Sequence, residues 1–315
     1  MDPERLISVD WGTTSLRICL VQCDPFKLIQ HLDCPGQGIQ VVNARVAEAS
    51  ASERVSEFAS VLRSSLARLE HEQSGWPVLI SGMASSSIGM KELPYQTLPM
   101  LLKAQSLEPE ALPPSDDFQH PTYLFTGLCD GDRDVMRGEE TQVLGLVDLP
   151  SDAMVVVPGT HSKHIGVEGG AIIGFRTFMT GELFALMSQH SILRHSVVCT
   201  EEALMNETAF REGVLAGARE PLLASLFGVR TACLFERRGA VDNADYLSGL
   251  LIGSELASLI EYSGQQLILC GGRLTDAYSL AFEALGLGGA LWVIPESESD
   301  LATARMHAAW WRAQV

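Results

Sequence analysis

Basic residues are scarce in this chain. Its 22 Lys and Arg stand against 39 Asp and Glu, a formal net charge of −17 at pH 7. A protein that grips nucleic acid needs cations clustered against the phosphates, so nucleic acid is excluded as an expected partner. Long apolar runs are missing too. Stretches such as Ala153 to Val157 fall far below the roughly 20 residues of a spanning helix, and no membrane association is expected. The start, Met1-Asp2-Pro3-Glu4-Arg5, is charged and runs straight into a strand. That is not the pattern of a secretory signal, and a cytoplasmic location is the expectation. The seven cysteines, Cys19, Cys23, Cys34, Cys129, Cys199, Cys233 and Cys270, are odd in number and contain no Cys-x-x-Cys. Reduced, buried thiols fit this better than a disulfide frame or a zinc site. Two nucleotide signatures are also absent. There is no Gly-x-Gly-x-x-Gly, and Gly159 and Lys163 stand too close for Gly-x-x-x-x-Gly-Lys.

What is present is a globular composition, 46% apolar and 19% charged. A length of 315 residues is comfortable for two domains. Leu6 to Val9 and Leu16 to Val21 read as strands flanking Gly12-Thr13-Thr14, with more β character expected near Ile39 to Val42. Val55, Phe58, Leu62, Leu66 and Leu69 fall three or four apart and predict a helix over 53–70. Val78 to Ile80 is a buried strand ending at Gly82, and 94–122 reads as a long connection. A helix begins near Arg137 and runs to Leu146. Met154 to Val157 is a strand, and Ile165–Val167 with Ala171–Phe175 form a hairpin around Glu168-Gly169-Gly170. From Gly181 the chain is mainly helical, with stripes at Leu183, Leu186 and Met187, at Val214, Leu215 and Ala218, and at Leu247, Leu250, Leu251 and Ile260. Leu267 to Leu269 is a strand, followed by helices over 275–285 and 300–311. The two halves open alike, with strand, Gly-Thr turn and strand at Ser8 to Ile18 and again at Val155 to Val167. Two α/β domains of similar design are expected, over residues 1–150 and 151–315, the last helix being a candidate to pack back on the first.

Three constellations carry chemistry. In Ile7 to Arg17 a strand ends on Asp10, and Gly12, Thr13 and Thr14 make a turn. Glycine lets backbone amides approach a ligand, and hydroxyls add donors. Such a turn can cradle phosphates while Asp10 holds a hydrated Mg²⁺. The plain alternative is a hairpin turn with a surface aspartate. Val157 to Lys163 repeats the turn with Gly159 and Thr160, adding His161 as a donor or acid–base group and Lys163 as a neutralising charge. His161 could equally be a structural turn residue. Leu267 to Arg273 brings a strand into Gly271-Gly272, which permits close approach to a flat ring such as adenine. Thr180 and Glu182 could cap a helix or line a substrate site.

The order Asp-x-Gly-Thr-Thr, Gly-Thr and strand-Gly-Gly resembles the phosphate-1, phosphate-2 and adenosine segments of the actin-like ATPase superfamily. Four longer runs, Val9 to Thr14, Asp134 to Gln142, Pro158 to Lys163 and Phe178 to Phe184, are similar to the 2-dehydro-3-deoxygalactonokinase family over nearly the whole chain. The resemblance implies two ribonuclease-H-like domains with an interdomain cleft. It also implies transfer of the ATP γ-phosphoryl group, with Mg²⁺, to the terminal hydroxyl of a sugar acid, 2-keto-3-deoxy-galactonate. Asp10 would then serve the metal. Thr13, Thr14, Gly159 and Thr160 would bracket the phosphates, and Gly271 and Gly272 would floor the adenosine. Glu139 is the first candidate base, with Asp134 and then Glu140 as rivals. Arg137 and Lys163 are candidates for the substrate carboxylate, with Ser85 and His161 alongside. The family pattern Gly-Met-x-Gly-Ser, followed by Gly-Trp, departs here. The chain reads Gly82-Met83-Ala84-Ser85-Ser86-Ser87-Ile88-Gly89-Met90, with serine for the second glycine and Met90 for the tryptophan. That loop puts the identity of the sugar acid in question. The partner expected is a small molecule, and a homo-oligomer is compatible with the sequence.

Overall fold

Strands that are apolar on both sides need cover on both faces, and the folding of this chain answers that need twice. The computed structural model describes residues 4–69, 75–114, 118–200, 205–262 and 266–314. Met1 to Pro3, the helix end expected at residue 70 and the side chain of Arg273 lie outside the described residues. The chain divides into two compact units: Met1–Leu149 with Gly170–Gly174 and Asp300–Val315, and Pro150–Gly169 with Phe175–Ser299.

In the first unit the strands are β1 (Arg5–Trp11), β2 (Ser15–Gln22), β3 (Lys27–Pro35), β4 (Val78–Gly82), β5 (Gln96–Thr97), β6 (Met100–Leu101), β7 (Glu110–Leu112), β8 (Thr122–Leu124), β9 (Leu128–Asp130) and β10 (Asp134–Met136). The helices are α1 (Ile39–Arg45), α2 (Ala51–Leu66) and α3 (Glu139–Leu144). The main sheet runs β3-β2-β1-β4-β8-β7. β1 is antiparallel to β2 and parallel to β4, which is parallel to β8. A small sheet, β10-β9-β5, stands beside α3 in sequence. Ala171 and Ile172 pair antiparallel with Leu101 and Met100.

Helix α2 starts where Ser50 accepts from the Glu53 amide while Glu53 accepts from the Ser50 amide, a reciprocal cap. Its Phe58, Leu62 and Leu66 are buried at four-residue spacing, and Phe58 meets the Trp11 ring edge-on at 5.2 Å. Residues Ile39 to Val42 are helical, not extended as expected. The amides of Ile39 and Gln40 donate to the carbonyls of Gly12 and Thr13 at 3.0 and 3.1 Å, so tertiary bonds start a helix in a β-favouring run. The third strand is instead β3, a sheet edge mostly half-exposed and so weakly patterned. The 94–122 connection holds the short strands β5 to β7. α3 starts two residues later than expected, because its N-cap Gly138 has φ +110°.

In the second unit β11 (Ala153–Val157), β12 (Ser162–Glu168), β13 (Ala171–Phe178), β14 (Gln266–Leu269) and β15 (Leu291–Val293) lie in the order β15-β14-β11-β12-β13. β11 is antiparallel to β12 and parallel to β14. Gly169 and Gly170 join β12 to β13 with φ of +56° and +73°, the primed turn that only glycine-like residues accept. Both units therefore carry the core order third-second-first-fourth, continued by the parallel strand β8 in the first and β15 in the second, the ribonuclease-H-like arrangement that the resemblance implies.

The helices here are α4 (Thr180–His190), α5 (Glu207–Arg219), α6 (Leu222–Leu234), α7 (Ala240–Leu256) and α8 (Thr275–Ala284), with α9 (Glu296–Arg312) leading into the first unit. Two members of the expected stripes fall outside the core: Leu186 is 39% exposed, and Ile260, past the end of α7, is 47% exposed. The sequence analysis also missed how α5 and α7 meet. A Cβ on Gly213 or Gly217 would lie 2.2 or 2.0 Å from the backbone oxygens of Tyr246 or Leu250. One on Gly249 or Gly253 would lie 2.1 Å from those of Phe210 or Val214. Glycine at four-residue spacing on both helices brings the two backbones together, as ridges packed into grooves cannot.

Adding a methyl at this crossing should force the helices apart. Gly217→Ala and Gly249→Ala are expected to cost about 1–3 kcal/mol each. Gly228→Ala in α6, where nothing lies within 4 Å of an added Cβ, should gain roughly 0.5–1 kcal/mol from helix propensity. Thermal unfolding of the three variants checks both signs, and equal Tm values for Gly217→Ala and the wild type would refute the close crossing.

Candidate active site

The first-unit residues gather at the carboxyl ends of β1 and β4, where open α/β sheets place ligands. The register sets Asp10 beside Ser81 and Trp11 beside Gly82. Gly82 has φ +92°, and a Cβ there would meet the Trp11 carbonyl oxygen at 2.7 Å and Asp10 Oδ1 at 3.3 Å. A Cβ on Gly138 would in turn lie 3.3 Å from Gly82 Cα. Two glycines thus let the end of β4 and the start of α3 close up beside Asp10. The Asp10 carboxylate is 25% exposed and accepts from Arg17 Nη2 at 2.6 Å. Arg17 is the cross-strand partner of Asp10 in the β1–β2 ladder. The Asp10 carboxylate, the largest influence on it, holds the guanidinium above its ordinary value. Thr13 is half-buried and Thr14 exposed.

The acids at the start of α3 differ. Glu139 is half-buried and accepts from the Arg137 amide at 3.0 Å. Glu140 is 1% exposed and accepts from the Gly138 amide at 2.9 and 2.8 Å through its two oxygens. Burial first, and then the Glu139 charge, push the Glu140 carboxyl up to about 8. Asp134 lies in β10 and accepts from the Val135 amide at 2.8 Å. The Arg137 guanidinium lies over the Tyr95 ring at 4.1 Å, and donates to Ser85 Oγ at 2.6 Å and to the Leu93 carbonyl at 3.2 Å. Its Nε is buried without a hydrogen-bond partner. The structure therefore brings Arg137 and Ser85 together, with Ser85 wholly buried.

Behind these groups runs a buried polar chain that the sequence analysis did not foresee. Thr141 Oγ1 is 3.1 Å from Glu140 Oε1 and 3.0 Å from Ser81 Oγ. Ser81 Oγ is 2.8 Å from His307 Nε2, and His307 Nδ1 is 2.8 Å from Ser8 Oγ. His307 is fully buried in α9, and desolvation lowers it from 6.5 to about 3.

In the second unit the turn after β11 holds Gly159, Thr160 and His161. Nothing lies within 4 Å of an added Cβ at Gly159, whereas one at Gly181 would meet the Gly159 carbonyl oxygen at 2.6 Å. The start of α4 thus packs on this turn, and the Glu182 amide donates to the Thr160 carbonyl at 3.0 Å. His161 Nε2 donates to the Glu182 carboxylate. Lys163 is 4% exposed and its ammonium donates to the His161 carbonyl at 2.9 Å. Thr180 and Glu182 do not form a capping pair. The N-cap is Met179, with no side-chain bond, and the Thr180 hydroxyl donates to the buried Glu255. Glu255 also accepts from Tyr278 at 2.7 Å and His164 at 3.1 Å, and Ser162 Oγ donates to Tyr278 at 2.9 Å. Beyond β14, Gly271 packs against Thr275, where an added Cβ would sit 2.8 Å from Thr275 Cα. Gly272, at φ +49°, has open space around it.

Arg17, His307 and Glu255 are the site-supporting residues missed. Arg17 had a signal, since hairpin alternation puts it opposite Asp10. A lone histidine in a C-terminal helix and a lone glutamate in an apolar one had none. Among the described residues no group of three or more His, Cys, Asp or Glu side chains gathers to cage a metal, and no helix is long and apolar enough to cross a membrane.

Residues 10–296 match the model of the family described as 2-keto-3-deoxy-galactonokinase. A Rhizobium meliloti (strain 1021) protein named "Probable 2-dehydro-3-deoxygalactonokinase DgoK1" is 34% identical over 290 residues, 89% of each chain. The 2-dehydro-3-deoxygalactonokinase of Escherichia coli (strain K12) is 32% identical over 289 residues, 90% of each. A crystal structure from Sinorhizobium meliloti, of a protein assigned as 2-dehydro-3-deoxygalactonokinase, superposes with a TM-score of 0.79 at 32% identity, covering 96% of this chain and 97% of that one.

The two shifted groups give the stability of the protein a pH signature. Glu140 keeps its proton in the folded state up to about 8 but loses it near 4.5 when unfolded. Its contribution is therefore full below 4.5 and fades as pH rises to 8. His307 is neutral when folded down to about 3 but takes a proton near 6.5 when unfolded, so stability fades as pH falls from 6.5 to 3. Glu140→Gln should flatten the upper slope and leave the lower one. Tm measured from pH 4 to 9 in both proteins checks this, and parallel curves would refute it.

Proposed function

Because the chain belongs to the 2-keto-3-deoxy-galactonokinase family, we propose that it transfers the γ-phosphoryl group of ATP to the terminal hydroxyl of 2-dehydro-3-deoxy-galactonate. The observation that carries this reading is the family match across nearly the whole chain, joined to a sheet edge built around Asp10. Phosphoryl transfer asks for alignment, charge neutralisation and a base near the attacking hydroxyl, and the residues supply candidates for each.

Asp10 would hold Mg²⁺. A part-exposed single carboxylate, with no carboxylate cage around it among the described residues, suits an ion that keeps its waters and takes its other ligands from phosphates. Bound there, the ion would neutralise charge on the transferring group. Gly12, Thr13, Thr14, Gly159 and Thr160 are assigned to the β- and γ-phosphates, the open Cβ position at Gly159 favouring backbone approach. Gly271 and Gly272 are assigned to the adenosine. Glu139 is the preferred base, because it opens α3 next to Gly138, which packs on Gly82 beside Asp10. Asp134, in β10 with its carboxylate turned to its own strand, is the second choice. Arg137 with Ser85, and His161 with Lys163, are assigned to the sugar acid. Residues 1–150 and 151–315 are proposed as the two ATPase-like domains, acting in the cytoplasm on a small molecule, as a monomer or homo-oligomer.

A second reading is a kinase for a related 2-keto-3-deoxy acid. The observation favouring it is the Ser85 hydroxyl on Arg137, at the place where the family pattern has glycine.

ADP release with Mg·ATP and a panel of 2-keto-3-deoxy sugar acids tests both. The expected result is turnover with 2-dehydro-3-deoxy-galactonate, reduced on the order of a hundredfold or more in Asp10→Ala and Glu139→Gln and far less in Asp134→Asn. Turnover with a different acid alone would move the assignment to the second reading. No turnover with any of them would sink both. Ser85→Gly frees Arg137 Nη1 and should shift the preference among the acids by about tenfold. An unchanged ratio of kcat/KM values would remove Ser85 from the specificity argument.

A further inference from the structure

The buried chain from Glu140 to Ser8 has a hydrogen count that does not close in a single way. A hydroxyl carries one hydrogen and a neutral imidazole one N–H. Thr141 lies within bonding distance of both Glu140 and Ser81 and can donate to only one. If Thr141 donates to an ionised Glu140, Ser81 must donate to Thr141, His307 Nε2–H to Ser81, and Ser8 to His307 Nδ1. If Glu140 carries a proton, its O–H donates to Thr141, Thr141 to Ser81, Ser81 to His307 Nε2, and His307 Nδ1–H to Ser8. Each arrangement gives every link of the chain one donor and one acceptor. They differ by one proton, on Glu140, and by which ring nitrogen of His307 carries its hydrogen.

We propose that His307 is a positioning residue for the first turn of α3, and that its ring tautomer reverses with the protonation of Glu140 through Thr141 and Ser81. The ring is neutral in both states, so no charge is created in α9. Its surroundings suit that duty. His307 faces Ser8 and Ser81 and stacks on Phe125 at 5.0 Å, with desolvation the one influence displacing its titration. Glu139, on the same turn as Glu140, is the charged group acting on it. The links are local and tight: Ser8 lies two residues before Asp10 on β1, Ser81 one residue before Gly82 on β4, and Thr141 in α3. One histidine of the last helix thereby ties both strand ends and the helix of the candidate base into a single hydrogen-bonded set. A neutral Glu140 also spares Glu139 a like charge one residue away, which an ionised base needs. This last point rests on the proposed role of Glu139, whereas the tautomer reversal does not.

The test is a ¹⁵N spectrum of the histidine rings of the full chain, with His307 assigned by the signal missing in His307→Gln. From pH 6 to 10 the ring should pass from the Nδ1–H to the Nε2–H form without passing through imidazolium, with a midpoint near the Glu140 value of about 8. The change should vanish in Glu140→Gln and in Thr141→Val, the second variant leaving the Glu140 carboxyl in place. A single tautomer throughout, or the same reversal in Thr141→Val, would overturn the proposal. Kinase assays do not enter this readout, so a failed substrate assignment and a failed relay would be told apart.

Discussion

The close approach of Gly82 to the Trp11 carbonyl is the constraint on which the first unit depends. A side chain at Gly82 would meet that oxygen at 2.7 Å, and its φ of +92° is one that side chains resist. With glycine there, β4 can turn away beside the end of β1, and Gly138 can settle onto it. Asp10, Glu139 and the Arg137–Ser85 pair then share one edge. None of these side chains could be brought together by periodicity alone, because the contacts that assemble them are between backbones.

The legible parts of the fold were those governed by one strong local rule. β4, β11 and β14 read as buried strands because nearly every residue in them is apolar, and β1 read as a strand from its Leu6, Ile7 and Val9. The β12–β13 turn read as a hairpin because Gly169-Gly170 permits only a few turns. α2 read as a helix from its stripe. The illegible parts were those where a distant group decides. Ile39 to Val42 looks extended until the carbonyls of Gly12 and Thr13 capture its amides. Nothing local to Arg137 marks the contacts with Tyr95, Leu93 and Ser85 that hold its guanidinium. His307, 226 residues from Ser81, carries no local mark at all. The candidate turns were visible in the sequence; the buried polar groups that brace them were not.

The brace in the second unit has the same logic with different residues. Glu255 in α7 collects hydrogen bonds from Thr180, Tyr278 and His164, and Tyr278 in turn accepts one from Ser162, beside the Gly159 turn. A carboxylate with only 3% exposure is tolerable because these donors replace its lost water. The glycine-mediated crossing of α5 and α7 fixes the helix that presents it. Displacing α7 by the width of a methyl group would pull Glu255 from its donors, so packing two helical layers from the turn and polarity beside the turn are coupled.

Comparing the two hairpins shows how one scaffold serves two electrostatic tasks. In each, the strand before the Gly-Thr turn pairs with a strand that carries a cation opposite its last residues. Arg17 opposes Asp10, and Lys163 opposes Val157. In the first hairpin the carboxylate and guanidinium meet at 2.6 Å, so the pair approaches neutrality and the acid is held in one orientation. In the second, valine stands where the acid would be. The Lys163 ammonium donates to the His161 carbonyl of the turn itself. The electrostatic difference between the two turns therefore lies in one side chain of each first strand, Asp10 or Val157, on sheets that share the core order third-second-first-fourth.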